Sequence, residues 1–491
     1  MISCWIFNDF AALLESRQVT ENKGDYPAQR GFTIPDSRCW TLWLRTFIKS
    51  SHMPAARALV VVILFLLLSG LGASAYQGQD ASTPSVASPH PLMHYSLPPD
   101  KLSKAYALYL LDGTLYFVTT LWGFLILWVM LRAHFGPRLR TWAERASRRR
   151  FVQAVVVMSL FVLVLEIASL PFDVYEHHVS LKYGLSVQHW GSWFGDWGKG
   201  LLLGLIFASF LGWILYAVLR RSPRRWWFYF WLALIPIVVF VLFVEPVWIE
   251  PMFNKFEPLT DHHADLVAQI ERVVHRGGME IPPERMYEMK ASEKGTTLNA
   301  YVTGFGATKR VVVWDTTMQR MTIPETLYVF GHEMGHYVLG HIPKEVAIDL
   351  LLLLVLLYLV FRVSNWMVVR YGARWGIPEL ADWSSLPLLM LVLSVLVFFA
   401  TPAFNGVSRH YEHQADQYGL EVIHGLVPDA SLNAANAFQK LGEVSLDYPY
   451  VNKFWEFWAW NHPTISDRML FVQTYDPWDE GKQGEFVKNE P

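Results

Sequence analysis

At positions 325–340 the sequence reads Glu325-Thr-Leu-Tyr-Val-Phe-Gly-His-Glu-Met-Gly-His-Tyr-Val-Leu-Gly340, and this stretch contains the pattern His-Glu-x-x-His. Residues four apart lie on one face of a helix, so His332 and His336 can offer two imidazole nitrogens to one Zn²⁺ ion. Glu333 would lie beside the open coordination position, where zinc lowers the pKa of bound water to about 7 and a carboxylate can accept the proton. The stretch is therefore typical of a hydrolytic zinc site.

The two ends of this helix are also marked in the sequence. Pro324 suits the first helical turn, and Gly340 suits the end of the helix. Two surface histidines on an ordinary helix would give the same five-residue pattern, however. The remainder of the chain must therefore decide between a metal site and a chance arrangement.

The composition is not that of a soluble protein. Of the 491 residues, 53% are hydrophobic, 15% are aromatic and only 17% are charged. The apolar residues also form blocks that approach or reach a membrane-spanning length, which indicates a polytopic membrane protein. A buried core helix is the alternative for one short block, which contains Asp349. The blocks are Ala58–Ala75, Leu115–Leu131, Phe151–Leu170, Leu201–Leu219, Trp226–Trp248, Val346–Val360 (the short one) and Leu386–Ala400.

Charge and cysteine content argue against two other kinds of site. The formal net charge is −2, and no basic patch interleaved with aromatic residues lies outside the short loops beside the apolar blocks, so we expect no nucleic-acid partner. The two cysteines, Cys4 and Cys39, precede the first apolar block. A thiolate metal site is therefore excluded from the main body, and any metal ligands there must be histidines and carboxylates.

The N-terminal part of the chain is divided into three segments. Residues 1–52 show no hydrophobic period and form an extension that is untranslated if Met53 is the initiator. Residues 53–76 fit a signal peptide, with Ala73-Ser-Ala75 as a small-residue cleavage site, and fit a first transmembrane helix equally well. Residues 77–99 are rich in Ser, Pro, Ala and His and predict an exposed linker.

The rest of the chain predicts a mainly α fold. We expect a polytopic membrane helical bundle of about six or seven spans with a zincin-like α+β metallopeptidase domain. The bundle begins with an N-terminal transmembrane domain at residues 100–249. The zinc metallopeptidase domain follows at residues 250–476 and includes two transmembrane helices, and a polar tail occupies residues 477–491.

The polar segment before the His-Glu-x-x-His stretch predicts one helix and two strands. Asp261–His275 carries apolar residues at helical spacing and is followed by two glycines. Leu298–Thr303 and Arg310–Thr316 predict strands, the second being rich in β-branched residues, and Gly304 and Gly306 suit the turn between them.

The first of these strands is the candidate for substrate binding. Metallopeptidases commonly hold an extended substrate against a strand edge by β-augmentation. We therefore expect Asn299, Ala300 and Tyr301 to contact the substrate.

A second polar motif follows the last apolar block, at Ser408-Arg-His-Tyr-Glu-His-Gln-Ala-Asp416. On a helix, Glu412 and Asp416 share one face, so Glu412 can complete a zinc site and Asp416 can orient a ligand histidine. His410 and His413 are rival ligands. We prefer Glu412 because a carboxylate gives the two-histidine, one-glutamate set of many zinc peptidases.

These motifs together resemble those of the CaaX prenyl protease (type I) family of integral-membrane zinc metallopeptidases. The resemblance covers roughly Tyr95–Asp476. Its main motifs are the His-Glu-x-x-His pattern and, after two apolar blocks, Glu412 and Asp416. Further similar motifs are Leu170-Pro-Phe172, Met252-Phe-Asn-Lys-Phe-Glu-Pro-Leu259, Leu298-Asn-Ala-Tyr301, Lys309-Arg-Val-Val-Val-Trp-Asp-Thr316 and Asn461-His-Pro463 with Arg468.

The resemblance implies one Zn²⁺ ion per chain and a helical membrane bundle around a water-filled chamber. It implies that Glu333 acts as general base and acid, and that His462 and Arg468 bind substrate or stabilise the oxyanion. For His462 the alternative is a capping histidine in a Trp-rich segment. The zinc ligands that it implies are His332, His336 and Glu412.

The expected function is that of a membrane-embedded zinc endopeptidase, whose partners are a peptide or protein substrate and membrane lipid. A catalytically inert membrane chaperone or binding protein of the same fold is the alternative. The intact Glu333 argues against this alternative, because an inert relative has no need of a carboxylate beside two imidazoles.

Arginine-rich loops predict how the chain is oriented in the membrane. Arg132–Arg150 contains seven arginines, Arg220–Arg225 four and Arg362–Arg374 three, and an even number of crossings separates these loops. By the positive-inside rule all three are cytoplasmic, which places the zinc domain on the other side of a bacterial-type plasma membrane. The eukaryotic family members have a cytoplasmic zinc site, so prenylated CaaX proteins are poor candidate substrates for this chain.

Overall fold

The computed structural model describes residues 91–304 and 308–488. The predicted N-terminal extension at 1–52, the signal peptide or first helix at 53–76, most of the linker, Gly306 and the last three residues of the tail lie outside the described residues.

The described chain consists mainly of helices, with four short strands between the fifth and seventh helices. In order, the elements are α1 (Pro99–Arg132), α2 (Phe135–Ala146), α3 (Arg150–Tyr183), α4 (Trp190–Arg221), α5 (Trp226–Val244), β1 (Phe256–Pro258), α6 (Ala264–Arg276), β2 (Met286–Met289), β3 (Ala300–Thr303), β4 (Arg310–Trp314), α7 (Asp315–Arg320), α8 (Ile323–Val338), α9 (His341–Trp375), α10 (Leu386–Ile423), α11 (Ala430–Ser445), α12 (Lys453–Ala459) and α13 (Ile465–Thr474).

Six helices in the described residues are long and apolar enough to cross a membrane. They are based on α1, α3, α4, α5, α9 and α10. Most of α9 is not buried within the structure, so its apolar block is not a core helix and its surface suits contact with lipid. The mainly helical, polytopic bundle with an α+β domain is therefore confirmed.

The strands form one mixed sheet in the order β1-β2-β4-β3. β2 and β4 are parallel, with Met286 opposite Val311, whereas β3 is antiparallel to β4, with Ala300 opposite Val313. β3 is therefore an edge strand of the described sheet. The sequence did not predict β1 or β2, because both are very short and β1 ends in a proline, which disfavours strands.

The helix that carries the His-Glu-x-x-His pattern, α8, has the predicted ends. Thr322 precedes it, and the backbone N–H of Thr322 donates to Glu325 Oε2 at 2.6 Å in a capping box. The helix ends at Val338, and Gly340 has a φ of 65°, a left-handed conformation that favours glycine. α9 begins at the next residue.

Helix α8 packs against α10 at backbone distance. A Cβ placed on Gly419 of α10 would lie 2.8 Å from the backbone nitrogen of His332, and a Cβ on Gly331 would lie 3.2 Å from the carbonyl oxygen of Gly419. Phe330 and Phe438 are buried in the adjoining core, which also includes the inner face of α6. This close approach sets the distance between the two helices that carry the site.

Several local predictions require correction. The Glu412 motif is helical as considered, and the sequence did not show that it continues the last apolar block in one helix from Leu386 to Ile423. β4 ends at Trp314, and Asp315 begins α7 instead of continuing the strand to Thr316. In the described part of the linker, Tyr95 and Leu97 are buried against the catalytic core, whereas most of the other residues are exposed.

The polar tail is also bound to the body of the protein. Glu421 of α10 accepts hydrogen bonds from the backbone N–H groups of Glu485, Phe486 and Val487 at 2.9, 2.7 and 2.9 Å. These bonds satisfy the buried carboxylate of Glu421 and hold the tail against the helix that carries Glu412.

The contact between α8 and α10 gives a first prediction. Gly419→Ala should destabilise the protein by about 1–3 kcal/mol, because the new methyl group would overlap the backbone of His332. Thermal unfolding in detergent measures the effect. Gly204→Ala in α4 is the matched control, since no atom lies within 4 Å of a Cβ built there. Equal stability of the two variants would contradict the close packing.

Candidate metal centre

Three ligand side chains from two helices converge at one point. Donor atoms of His332 and His336 on α8 and of Glu412 on α10 all lie within 4.8 Å of one another. His332 Nε2 lies 3.4 Å from Glu412 Oε2, and His336 Nε2 lies 3.4 Å from Glu412 Oε1. The two Nε2 atoms are 3.2 Å apart. The structure therefore brings together the three residues expected to be metal ligands.

The environment of these groups fits a bound cation. Glu412 is buried, and its Oε2 makes only long contacts, 3.4 Å to His332 Nε2 and 3.4 Å to Arg468 Nη2. A buried carboxylate oxygen with only such long contacts is stabilised further by a cation that binds it more closely. Although burial opposes the charged ring, hydrogen bonds to Asp416 and Glu412 raise the pKa of His332 to about 10. The centre thus stabilises positive charge, and two imidazoles with one carboxylate are a suitable donor set for a divalent metal.

The rival ligands lie outside the cluster of described residues that could hold a metal. His413 packs against the ring of Phe471, with ring centroids 4.2 Å apart, and His410 contacts the ring of Tyr411 at 5.8 Å. Glu412 is therefore the better candidate for the third ligand.

Asp416 and Arg468 form a buried charged pair behind the cluster. Asp416 Oδ1 lies 2.9 Å from His332 Nδ1 and accepts a 2.6 Å bond from Arg468 Nη2. Arg468 Nε donates to Asp416 Oδ2 at 2.9 Å, which makes the pair bidentate, and the guanidinium also lies over the ring of Phe438. This pair fixes the ring of His332 with Nε2 towards Glu412.

Glu333 is partly buried on the same helix. Burial raises the pKa of its carboxyl group, an effect that His332 and His336 partly oppose. A raised pKa makes the carboxylate a stronger base and brings it closer to the range in which a group can exchange protons near neutral pH.

His462 reaches the cluster from the loop between α12 and α13. Its Nε2 lies 3.2 Å from Glu412 Oε1, and half of the side chain is exposed. Arg409 of α10 holds α12 and the start of this loop, because its Nη1 donates to the carbonyl oxygens of Glu456 and Trp460. Asn405 Nδ2 donates to Trp458 O at 2.8 Å. His462 is therefore presented to the site from outside by a loop that two α10 side chains fix.

The predicted substrate-binding residues lie beside the centre but not in the cluster. β3 packs against α8. Ala300 is buried, Asn299 O accepts bonds from Trp314 N and Thr317 Oγ1, and the hydroxyl of Tyr301 is bonded to Glu250. These contacts hold the strand in place, so the part of β3 left for a substrate is its outer backbone edge.

One residue near the centre was missed by the sequence analysis although its spacing was informative. Tyr328 lies one helical turn before His332, and its hydroxyl donates to Asp416 Oδ1 at 3.4 Å. Arg409 was missed for a different reason, because its role depends on a loop about fifty residues later in the chain.

Six candidate membrane spans and a His-His-Glu cluster beside a glutamate define the class of an integral-membrane metallopeptidase. Two family models match the chain: peptidase family M48 at residues 261–476 and the CAAX prenyl protease N-terminal region, described as five membrane helices, at residues 83–255. The uncharacterized metalloprotease YhfN of Bacillus subtilis is 32% identical over 359 residues, which cover 73% of this chain and 82% of YhfN.

More distant similarities agree with this match. The CAAX prenyl protease 1 of Saccharomyces cerevisiae is 24% identical, over 65% of this chain and 71% of the yeast protein. The crystal structure of S. mikatae Ste24p has the same fold, with a TM-score of 0.66 at 21% identity over 85% of this chain and 99% of the other. The chain belongs to the CaaX prenyl protease family within peptidase family M48. It is a membrane metalloprotease, so an inert chaperone or binding protein is set aside.

The buried Asp416–Arg468 pair gives a second prediction. Arg468→Ala should destabilise the protein by about 3–5 kcal/mol, because it leaves the carboxylate of Asp416 buried without its partner. Lys101→Ala removes a partly exposed salt bridge to Glu443 and should change stability by less than about 1 kcal/mol. Unfolding of both variants in detergent measures the difference.

A second substitution tests the reason for this instability. Asp416→Asn added to Arg468→Ala removes the unpaired charge and should restore part of the lost stability. An Arg468→Ala variant no less stable than Lys101→Ala would show that the pair does not stabilise the centre.

Proposed function

We propose that the protein is a zinc-dependent endopeptidase that cleaves peptide segments at a membrane-embedded site. The convergence of His332, His336 and Glu412 beside Glu333 is the observation that carries the proposal. One Zn²⁺ ion per chain, held by these two imidazoles and one carboxylate, would polarise the scissile carbonyl and activate a water molecule.

The chain's own groups would move the protons. Glu333 accepts a proton from the attacking water and donates it to the leaving amine nitrogen, so the same carboxyl group acts first as base and then as acid. The raised pKa of Glu333 supports this role, because it reduces the difference in pKa between the carboxyl group and the water that it deprotonates.

His462 and Arg468 would act on the substrate side and the buried side of the centre, respectively. Desolvation lowers the pKa of His462, which favours the neutral ring with one N–H to donate to a carbonyl oxygen or to its developing negative charge. Arg468 keeps Asp416 charged, and Asp416 in turn orients His332. Its low exposure, 11% of the side chain, supports a positioning role instead of direct contact with substrate.

The substrate is proposed to bind as an extended segment along β3. β3 is the edge strand of the described sheet and packs against the helix that bears His332, so a peptide added to its edge would run past the metal centre. Of the three predicted residues, Ala300 would offer its backbone carbonyl at this edge, whereas the backbone groups of Asn299 are bonded to Trp314 and Thr317 and those of Tyr301, two residues on, face β4.

The membrane orientation narrows the choice of substrate. Relatives bear the name CAAX prenyl protease, but the three arginine-rich loops support a zinc site on the extracytoplasmic side. We therefore propose an exported or membrane-tethered peptide as substrate, not a prenylated cytosolic protein. We also propose the division into a transmembrane domain at 100–249, a metallopeptidase domain at 250–476 and a tail at 477–491, which the boundary between the two family models supports.

Two substitutions separate metal binding from proton transfer. Glu333→Gln should retain zinc and lose hydrolysis, because a neutral amide cannot accept a proton from water. Glu412→Ala should lose zinc affinity, because two imidazoles are an incomplete site. Metal content by atomic absorption and cleavage of an unfolded membrane-tethered reporter are measured on the same samples. Loss of zinc in Glu333→Gln would contradict the role of the base, and full zinc content in Glu412→Ala would make another residue the third ligand.

Reporter fusions test the orientation. An alkaline phosphatase, which is active only outside the cytoplasm, should be active when fused after Gly277 and silent when fused after Arg145, because Arg145 lies in a loop with seven arginines. The reverse pattern would place the site in the cytoplasm and make CaaX-type substrates plausible again.

A further inference from the structure

A buried histidine that the proposed mechanism does not use lies directly behind one of the proposed ligands. His341 is 1% exposed, and its Nδ1 lies 3.2 Å from Nδ1 of His336. On the other side of the ring, His341 Nε2 lies 3.1 Å from Oε1 of Gln414, which is on α10. The ring is also stacked on Tyr411, with centroids 4.6 Å apart and an angle of 19° between the planes.

The backbone places His341 at this point through a single turn. His341 follows His336 by five residues, a spacing that does not bring two side chains together on a continuous helix. Gly340, with a φ of 65°, ends the path of α8, and His341 is the first residue of α9. The imidazole can therefore turn back towards His336 while α9 leaves the site.

The donors and acceptors allow only one arrangement of protons if His336 binds a metal through Nε2. The proton of the neutral His336 ring is then on Nδ1, and His341 Nδ1 must accept it. His341 must carry its own proton on Nε2, and that N–H finds an acceptor in the amide oxygen of Gln414. His336 thus requires this tautomer of His341, and the amide oxygen of Gln414 accepts from it.

We propose that His341 is a positioning residue for the metal centre: by accepting a hydrogen bond from His336 Nδ1, it fixes the tautomer and ring orientation that present Nε2 to the metal. This inference rests on the proposed ligation by His336. A metal-ligating histidine generally donates its second ring N–H to such a partner, and loss of the partner typically weakens metal affinity or activity 10–100-fold.

The two proposed ligand histidines then differ in the charge of their partners. His332 Nδ1 faces the carboxylate of Asp416, whereas His336 Nδ1 faces a neutral imidazole. A carboxylate partner increases the basicity of a ligand imidazole more than a neutral acceptor does. The arrangement therefore fixes both rings while adding only one negative charge behind the centre.

Two amide substitutions of His341 test the proposal. In His341→Asn the side-chain oxygen can occupy the position of Nδ1, whereas in His341→Gln the amide group extends to the position of Nε2. Both variants carry the same functional group, so their burial costs are similar. We expect His341→Gln to bind zinc about 10–100-fold more weakly than the wild type and His341→Asn to remain within about threefold of it.

The zinc dissociation constant of the purified full-length protein in detergent is measured by competition with a chromophoric chelator. The visible absorption of the Co²⁺-substituted protein is a second readout, and it should change in His341→Gln but not in His341→Asn. Equal affinities and spectra in the two variants, whether both unchanged or both altered, would overturn the positioning role and leave His341 as a packing residue. Failure of the wild type to bind zinc would instead contradict the proposed function.

Discussion

The metal centre depends on the distance between two helices. α8 carries the two histidines and α10 carries Glu412, and the helices approach so closely that glycine is required at the crossing, with Gly331 and Gly419 on opposite sides. Wider separation would move the carboxylate away from both imidazoles, because all three groups are short and reach only a few ångströms from their backbones. The remaining groups of the site lie around this crossing. They orient the three side chains, whose separation the crossing has already set.

Charge is distributed over three elements around the crossing. Asp416 on α10, Arg468 on α13 and His332 on α8 form one continuous polar contact, so the buried carboxylate is never without a donor. Because each member satisfies another, the elements cannot separate without leaving a charge in an apolar core. The same contacts therefore join the two helices that carry the proposed metal ligands to the C-terminal part of the chain.

The sequence predicted the parts of the fold and site that follow from spacing along one element. The membrane blocks, the ends of α8 and the pairing of His332 with His336 all depend on helical period, apolar length or helix-ending residues. Glu412 and Asp416 were found in the same way, since they share a face of one helix. The continuity of α10 was not predicted, because a change from apolar to polar composition looks like the end of an element even when the backbone continues.

Contacts that depend on turns or on distant segments could not be predicted from spacing. His341 reaches His336 only because Gly340 adopts a left-handed conformation, and Arg409 acts on a loop about fifty residues later in the chain. The short strands β1 and β2 have too few residues to show a period of two. In each case the structure depends on contacts between separate elements, and the spacing of residues along one sequence does not indicate such contacts.

The continuity of α10 has a consequence for how the site is held relative to the bilayer. At 1.5 Å per residue, the helix from Leu386 to Glu412 is about 39 Å long, whereas the hydrocarbon layer of a membrane is about 30 Å thick. One continuous helix therefore contains both the last membrane span and the residue that reaches the proposed metal centre. Because the helix is continuous, a shift of its apolar half along the membrane normal would move Glu412 with it, so the depth of the span and the depth of the proposed metal centre are coupled.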